Sequence, residues 1–148
     1  GYPEPFQAIV AGRIRKRLGD AAGLENFGVN LTRLKPGSSS ALRHWHTRSD
    51  EFIYIVEGTP TLVTEAGKQM LSPGMMAAFP AGVADGHHLV NASDADVVYL
   101  EVGDRTPGDE VEYPDNNLRA IRTSDASTDA SSRSSGQLIF LHKDGTPY

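Results

Sequence analysis

The chain has 148 residues, no cysteine and a formal net charge of −5 at pH 7. Its length fits one domain, and the absence of cysteine excludes disulfides, thiolate metal ligands and a cysteine nucleophile. The basic residues are scattered, whereas nucleic acid needs a basic face, and no apolar run approaches the roughly 18 residues of a membrane span. We therefore expect a soluble, cytoplasmic domain that binds neither nucleic acid nor membrane.

Residues 1–26 are interpreted as an N-terminal arm with a short helix around residues 20–24. The first residue is Gly1 rather than Met, so we expect that a segment upstream has been removed. One short basic cluster on an acidic chain is weak support for a binding surface, and we interpret it as a solvated segment. It consists of Arg13, Arg15, Lys16 and Arg17.

Glycines and prolines interrupt the chain roughly every eight to twelve residues, and short β-branched and aromatic runs lie between them. Helix signals are poor, so this spacing predicts an all-β sandwich or barrel. Strands are predicted at residues 28–34, 40–46, 51–56, 61–64, 69–71, 75–79, 87–91 and 96–102.

The C-terminal part begins with a serine-rich stretch, residues 123–135, that contains no aromatic and almost no aliphatic side chain. Such a stretch cannot bury enough surface to offset the entropy lost on ordering, so we predict a flexible loop. Residues 137–142 (QLIFLH) then predict a strand that returns to the body of the domain.

Four of the five histidines fall in two pairs, His44/His46 and His87/His88. Residues i and i+2 of a strand point to the same face, so His44 and His46 present their imidazoles side by side. Glu51 opens the next strand after a short polar loop, and an antiparallel turn would bring it beside them. Two imidazoles and a carboxylate are ligands for iron, manganese, nickel, copper or zinc, and a distant histidine would complete the site.

Two spaced motifs extend this pattern: Gly37-x6-His44-x-His46-x4-Glu51-x6-Gly58 and Gly74-x5-Pro80-x-Gly82-x4-His87-x3-Asn91. They resemble the paired motifs of the cupin superfamily, the first with an HxH pair and a glutamate between glycines, the second with a PxG turn, a histidine and an asparagine. The resemblance implies a double-stranded β-helix, or jelly-roll barrel, as a single cupin domain over residues 1–148. Its conserved barrel core would lie at residues 27–103.

The second motif departs from the usual pattern, because the loop before its histidine is two residues longer and puts Asp85 at the usual histidine position. Asn91 favours His87 over His88, since His87 is the residue that lies at the usual distance before it. We predict His44, His46, Glu51 and His87 as metal ligands. His88 stays open as the fourth ligand, and Asp85 is a minor alternative.

The ligand set implies one divalent metal ion, Zn, Mn, Fe, Ni or Cu, with one or two open positions for water or substrate. We expect a small metalloenzyme acting on a small molecule, like the sugar phosphate isomerases or dioxygenases of the superfamily. The alternative is a non-catalytic ligand-binding module. Asp85 is the candidate catalytic base. Anchors for a charged substrate are not obvious, and Arg33, Lys35 and Arg43 are interpreted as solvated.

The alternation of residues 51–56 predicts which side chains line the barrel. If Glu51 faces inward, so do Ile53 and Ile55, and an inner lining of Ile53, Ile55, Met76, Phe79 and Leu89 follows. Phe52, Tyr54, Val56 and also Trp45 would then form an apolar outer face. Such a face is typical of an interface, and cupins often pair sheet to sheet, so we predict a homodimer. The alternative is that the N-terminal segment or residues 137–142 cover this face.

Overall fold

The computed structural model describes residues 1–123 and 137–148. Within these ranges a 3-10 helix, Phe6–Val10, and one helical turn, α1 (Leu18–Ala21), accompany twelve strands. The strands are β1 (Arg13–Arg17), β2 (Phe27–Leu34), β3 (Trp45–His46), β4 (Glu51–Glu57), β5 (Thr61–Thr64), β6 (Gly67–Met70), β7 (Met76–Phe79), β8 (His88–Val90), β9 (Val97–Asp104), β10 (Glu110–Tyr113), β11 (Leu118–Arg122) and β12 (Leu138–Leu141). Apart from Thr123, the predicted flexible loop lies outside the described residues.

The strands pair into three antiparallel sheets, so the predicted all-β fold is confirmed. The largest sheet has the order β1-β2-β9-β4-β7, the second β12-β11-β10-β3 and the third β6-β5-β8. Most neighbours are distant in sequence, since β2 pairs with β9 and β3 pairs with β10. No helix in the described ranges is long and apolar enough to cross a membrane. The cytoplasmic location stays a prediction.

The alternation predicted for β4 is confirmed. Ile53 and Ile55 are 7% and 0% exposed and belong to the core cluster beneath the largest sheet, whereas Tyr54 and Val56 are 42% and 49% exposed. The inward position predicted for Met76 is wrong, because the register places Met76 opposite Tyr54 and leaves it 51% exposed. Cross-strand partners share a face, so Met76 lies on the outer surface.

The basic cluster lies in a regular strand, not in an irregular arm. β1 forms the edge of the largest sheet, where Arg13 pairs with Leu34 and Arg15 with Thr32. Leu34 and Thr32 are fully buried, so the arginine side chains on the same face point toward the barrel interior. The interpretation as a solvated segment is confirmed for Arg15, Lys16 and Arg17, which are exposed, whereas Arg13 is half-buried. The helical turn that follows starts and ends earlier than predicted.

Two further differences concern strand extent. The strand predicted over residues 40–46 shrinks to β3, preceded by an isolated bridge between His44 and His87. Strands β10 and β11 were not predicted, and together with β12 they form the sheet that carries β3. Trp45 therefore lies in a different sheet from β4 and does not share an outer face with Tyr54 and Val56; its outward orientation stays a prediction.

Candidate metal centre

Ligand atoms of His44, His46 and Glu51 lie within 4.8 Å of one another. The Nε2 atoms of His44 and His46 are 3.4 and 3.3 Å from the carboxylate oxygens of Glu51. His87 joins them, with Nε2 at 2.6 Å from Glu51 Oε2. Three imidazoles thus direct the same ring nitrogen at one carboxylate. This donor set of three nitrogens and one oxygen fits a divalent transition metal or zinc.

Backbone pairing places these side chains. His44 and His87 exchange hydrogen bonds, with His44 N donating to His87 O at 3.2 Å and His87 N to His44 O at 2.9 Å. Glu51 begins β4 between Phe79 of β7 and Gly103 of β9. The ligands therefore come from three parts of the chain that only the sheet pairing brings together.

The other ring nitrogen of each HxH histidine is held by a neighbour. Nδ1 of His44 is 2.8 Å from the carbonyl oxygen of Leu42, which can only accept, so Nδ1 donates and Nε2 keeps its lone pair when the ring is neutral. Nδ1 of His46 is 2.6 Å from Asp109 Oδ2. Such partners orient ligand histidines in metal sites.

Asp109 is a residue of the candidate site that the motifs did not predict. Its side chain is fully buried, and its second oxygen accepts the Arg48 backbone N–H at 2.9 Å. It lies 63 residues from His46, outside both motifs. No spacing signal links the two residues, and only the pairing of β10 with β3 brings them together.

His87, rather than His88, reaches Glu51. The His87 ring stacks on Phe79, with centroids 3.5 Å apart and an interplanar angle of 1°. Nδ1 of His88 is instead 2.9 Å from the carbonyl oxygen of Ala41. Adjacent strand residues point to opposite faces, which separates the two rings.

Asp85 is engaged in a different contact. Its carboxylate accepts the Glu65 backbone N–H at 2.8 Å, which ties the loop before His87 to the β5–β6 turn. It lines a smaller cavity together with Trp45, His87 and Glu51. The Asp85 backbone lies close enough to the His87 imidazole to act on its pKa, and the catalytic role of the Asp85 carboxylate stays a prediction.

Burial and neighbouring charges compete at the site. Burial alone would raise the pKa of Glu51, but His44, His46 and His87 together hold that pKa well below its usual value. Burial opposes the protonated form of His46, yet the hydrogen bonds to Asp109 and Glu51 prevail and raise its pKa to about 9. Burial lowers the pKa of His87, against the effect of Glu51. The carboxylate is therefore ionised at neutral pH and suited to a cation.

A cavity of about 830 Å³ opens beside the ligands. Glu51, Gly103 and Gly28 lie side by side across β4, β9 and β2, so the two positions next to the carboxylate in this row have no side chain. A Cβ atom at Gly103 would meet Asp50 O at 3.3 Å and Glu51 Cγ at 3.9 Å. The glycines leave room for a small molecule beside the metal centre.

Three buried tyrosines, Tyr2, Tyr99 and Tyr113, line the same cavity. The Tyr113 ring lies 5.9 Å from the rings of both His44 and Tyr2. Burial raises the pKa of all three phenols. They therefore stay neutral over the physiological range.

These phenols predict a loss of stability at alkaline pH. In the unfolded chain they ionise near pH 10, while the folded protein retains their protons, so the free energy of unfolding falls as pH rises above about 10. Each phenol contributes a slope of about 1.4 kcal/mol per pH unit in that range. Urea unfolding at pH 9–11 measures this slope. Tyr113→Phe should make the slope shallower by the contribution of about one phenol; a slope equal to that of the unmodified chain would contradict the prediction.

The fold and the site define a class of protein. A β-barrel that holds three histidines and a glutamate at its cavity is the arrangement implied by the cupin motifs. A family model described as a Cupin domain matches residues 30–103. The chain belongs to the cupin family, which confirms both the resemblance and the jelly-roll barrel. No curated protein matches the chain.

Solved structures agree with this assignment. A protein described as a sugar phosphate isomerase from a cupin superfamily, from Silicibacter pomeroyi DSS-3, is 44% identical with a TM-score of 0.87, covering 99% of this chain and 87% of that one. A proposed sugar phosphate isomerase from Acidithiobacillus ferrooxidans ATCC 23270 is 29% identical with a TM-score of 0.76, covering 92% and 80%. The polyketide cyclase RemF from Streptomyces resistomycificus, 21% identical with a TM-score of 0.58 over 82% and 77%, shares the fold.

Proposed function

We propose that this cupin is a metal-dependent isomerase acting on a sugar phosphate. The observation that carries the proposal is the convergence of three imidazole Nε2 atoms on the Glu51 carboxylate, next to a cavity of about 830 Å³. His44, His46, Glu51 and His87 would hold one divalent ion, Zn, Mn, Fe, Ni or Cu. The description of the S. pomeroyi relative, 44% identical over nearly the whole chain, supports the substrate class.

When bound, the metal would polarise a substrate oxygen as a Lewis acid. Residues of the protein position the ligand histidines and the substrate. Leu42 and Asp109 fix the rings of His44 and His46, and the phenols of the cavity wall offer hydrogen bonds to substrate hydroxyls. The chain also needs a group that accepts the transferred proton. Asp85 is proposed for this role because it lines the smaller cavity next to Glu51 and His87.

The test combines metal analysis with turnover. Protein purified without a metal-affinity step should contain near one equivalent of metal and interconvert aldose and ketose phosphates, and chelation should abolish turnover. Asp85→Asn should lower kcat by about 100-fold without loss of metal. A candidate substrate that raises the melting temperature but is not turned over would favour the alternative, a non-catalytic ligand-binding module. Bound iron with consumption of oxygen would favour the dioxygenase instead.

We also propose that the protein is a homodimer formed through the outer face of β4 and β7. Tyr54, Val56 and Met76 on this face are 42%, 49% and 51% exposed. β1 extends the sheet at its far edge and β12 joins another sheet, so the described residues offer no cover for the face. An exposed apolar surface of this kind is typical of an interface.

Light scattering after size exclusion tests the dimer. The unmodified chain should have twice the monomer mass, and Tyr54→Glu should shift it to monomer because a charge at the interface centre would be desolvated. Gln69→Glu on the exposed strand β6 is the control and should remain dimeric. A monomeric unmodified chain at micromolar concentration would contradict the proposal.

A further inference from the structure

We propose that the guanidinium groups of Arg13 and Arg15 form an anion-binding subsite in the metal-centre cavity, holding the phosphate or carboxylate of the ligand. The inference rests on the proposed function in taking this cavity as the ligand site. It adds a recognition element that lies outside both cupin motifs, in a strand at the opposite edge of the sheet from β7.

The register of β1 places both side chains. Arg13 and Arg15 pair with Leu34 and Thr32, which are fully buried on the inner face of the sheet. Both arginines line the same cavity as His44, His87 and Glu51. Lys16, between Arg15 and Arg17, points to the other face and does not line the cavity.

The charges in this part of the cavity do not balance. Arg15 Nε is 2.6 Å from Glu101 Oε1. Arg13 Nη1 donates to the carbonyl oxygen of Ser40 at 2.5 Å, a neutral acceptor, and no carboxylate within the described ranges forms an ion pair with Arg13. Arg13 and Arg15 therefore share one carboxylate, and Arg17, on the same face of β1, also lines the cavity. An anionic ligand would supply the missing negative charge.

The other arginines with clear partners do not share this feature. Arg43 binds Asp115 and Glu65, and Arg33 binds Asp96. Arg105 lines the cavity but is paired with Asp20. Arg13 differs from these three because, among the described residues, it has a carbonyl partner and no carboxylate partner.

The surroundings of Arg13 suit an oxyanion. Burial, followed by the neighbouring charge of Arg15, lowers the pKa of Arg13, so two adjacent cations are held at a cost that an anion would relieve. A guanidinium carries five N–H donors in a fork that matches phosphate and carboxylate oxygens. The phenols of Tyr2 and Tyr99, which line the same wall, stay neutral and add no negative charge that would compete with the anion.

Calorimetric titration with inorganic phosphate, and separately with succinate, tests the subsite. We expect at least one of the two anions to bind, and Arg13→Gln and Arg15→Gln each to weaken its binding by about tenfold or more. Lys16→Gln removes the same charge from the outer face of the same strand and should leave the affinity unchanged. The anion that binds more tightly identifies phosphate or carboxylate as the preferred group. Absence of binding to the unmodified chain, or equal affinity in all three variants, would overturn the proposal.

Two further titrations distinguish binding at the arginines from binding at the metal or at a freed carboxylate. Arg15→Gln leaves Glu101 without its ionic partner, although Thr32 still donates to it. The double variant Arg15→Gln/Glu101→Gln should therefore still bind the anion weakly; recovery of full affinity would overturn the role of Arg15. In chelator-treated protein the binding should persist and still depend on Arg13, which would hold even if the metalloenzyme proposal failed. Anion binding that is lost on chelation and is unchanged in the Arg13→Gln variant would overturn the proposed subsite. Arg13→Lys is a further variant, which keeps the positive charge. Melting temperatures verify that each variant is folded.

Discussion

Replacing His46 by alanine should remove nearly all bound metal and lower the melting temperature of the metal-loaded protein. The substitution deletes one of the three nitrogens that converge on Glu51, and it leaves the fully buried Asp109 carboxylate without its imidazole partner. Metal present at 1,000 times its Kd stabilises the folded state by about 4 kcal/mol, and this contribution is lost with the metal. Elemental analysis and thermal unfolding with and without chelator measure the two effects.

His88→Ala is the matched control for the ligand set. Its ring contacts the Ala41 carbonyl rather than Glu51, so the variant should keep nearly all of its metal, whereas His87→Ala should lose most of it. Metal retained in His87→Ala and lost in His88→Ala would show that the ligand is the neighbouring residue. Full metal content in His46→Ala would remove His46 from the ligand set.

Asp109→Asn should weaken metal binding by about 10- to 100-fold while the fold is retained. The carboxylate lies 2.6 Å from Nδ1 of His46, where it orients the ring and increases the basicity of Nε2. Asparagine has nearly the same size but carries no charge, so the ring loses its anionic partner while the packing changes little. Competition with a chromophoric chelator measures the affinity.

Glu110→Gln is the control for this substitution. The adjacent residue loses the same charge, but its carboxylate binds Arg119 and does not contact His46. We expect its metal affinity to equal that of the unmodified chain. An Asp109→Asn protein with unchanged affinity would show that Asp109 only packs the strand and does not tune the ligand.

The features that could be predicted from the sequence depend on short-range geometry. Residues i and i+2 of a strand share a face whatever the rest of the chain does, so the alternation of β4 could be inferred, including the buried Ile53 and Ile55. The same rule put His44 and His46 side by side, and the spacing to Asn91 favoured His87 over His88. The contact of His87 with Glu51 agrees with that preference.

The errors arose at positions whose orientation or strand pairing depends on a neighbour from elsewhere in the chain. Met76 faces outward because β7 pairs with β4 in a register that sets it opposite Tyr54, and composition alone does not specify a register. β10 and β11 were missed, and with them the sheet on which His46 meets Asp109.

The sequence by itself therefore determined the all-β class, the cupin family and the residues of the two motifs, because these depend on local spacing and alternation. The tertiary structure decided that Asp109 supports His46 and that Arg13 and Arg15 enter the cavity. The Asp109 contact joins residues 63 positions apart, and the arginines face inward only because β1 pairs with β2 in one register. Long-range strand pairing is set by the packing of the whole barrel, and no short segment encodes it.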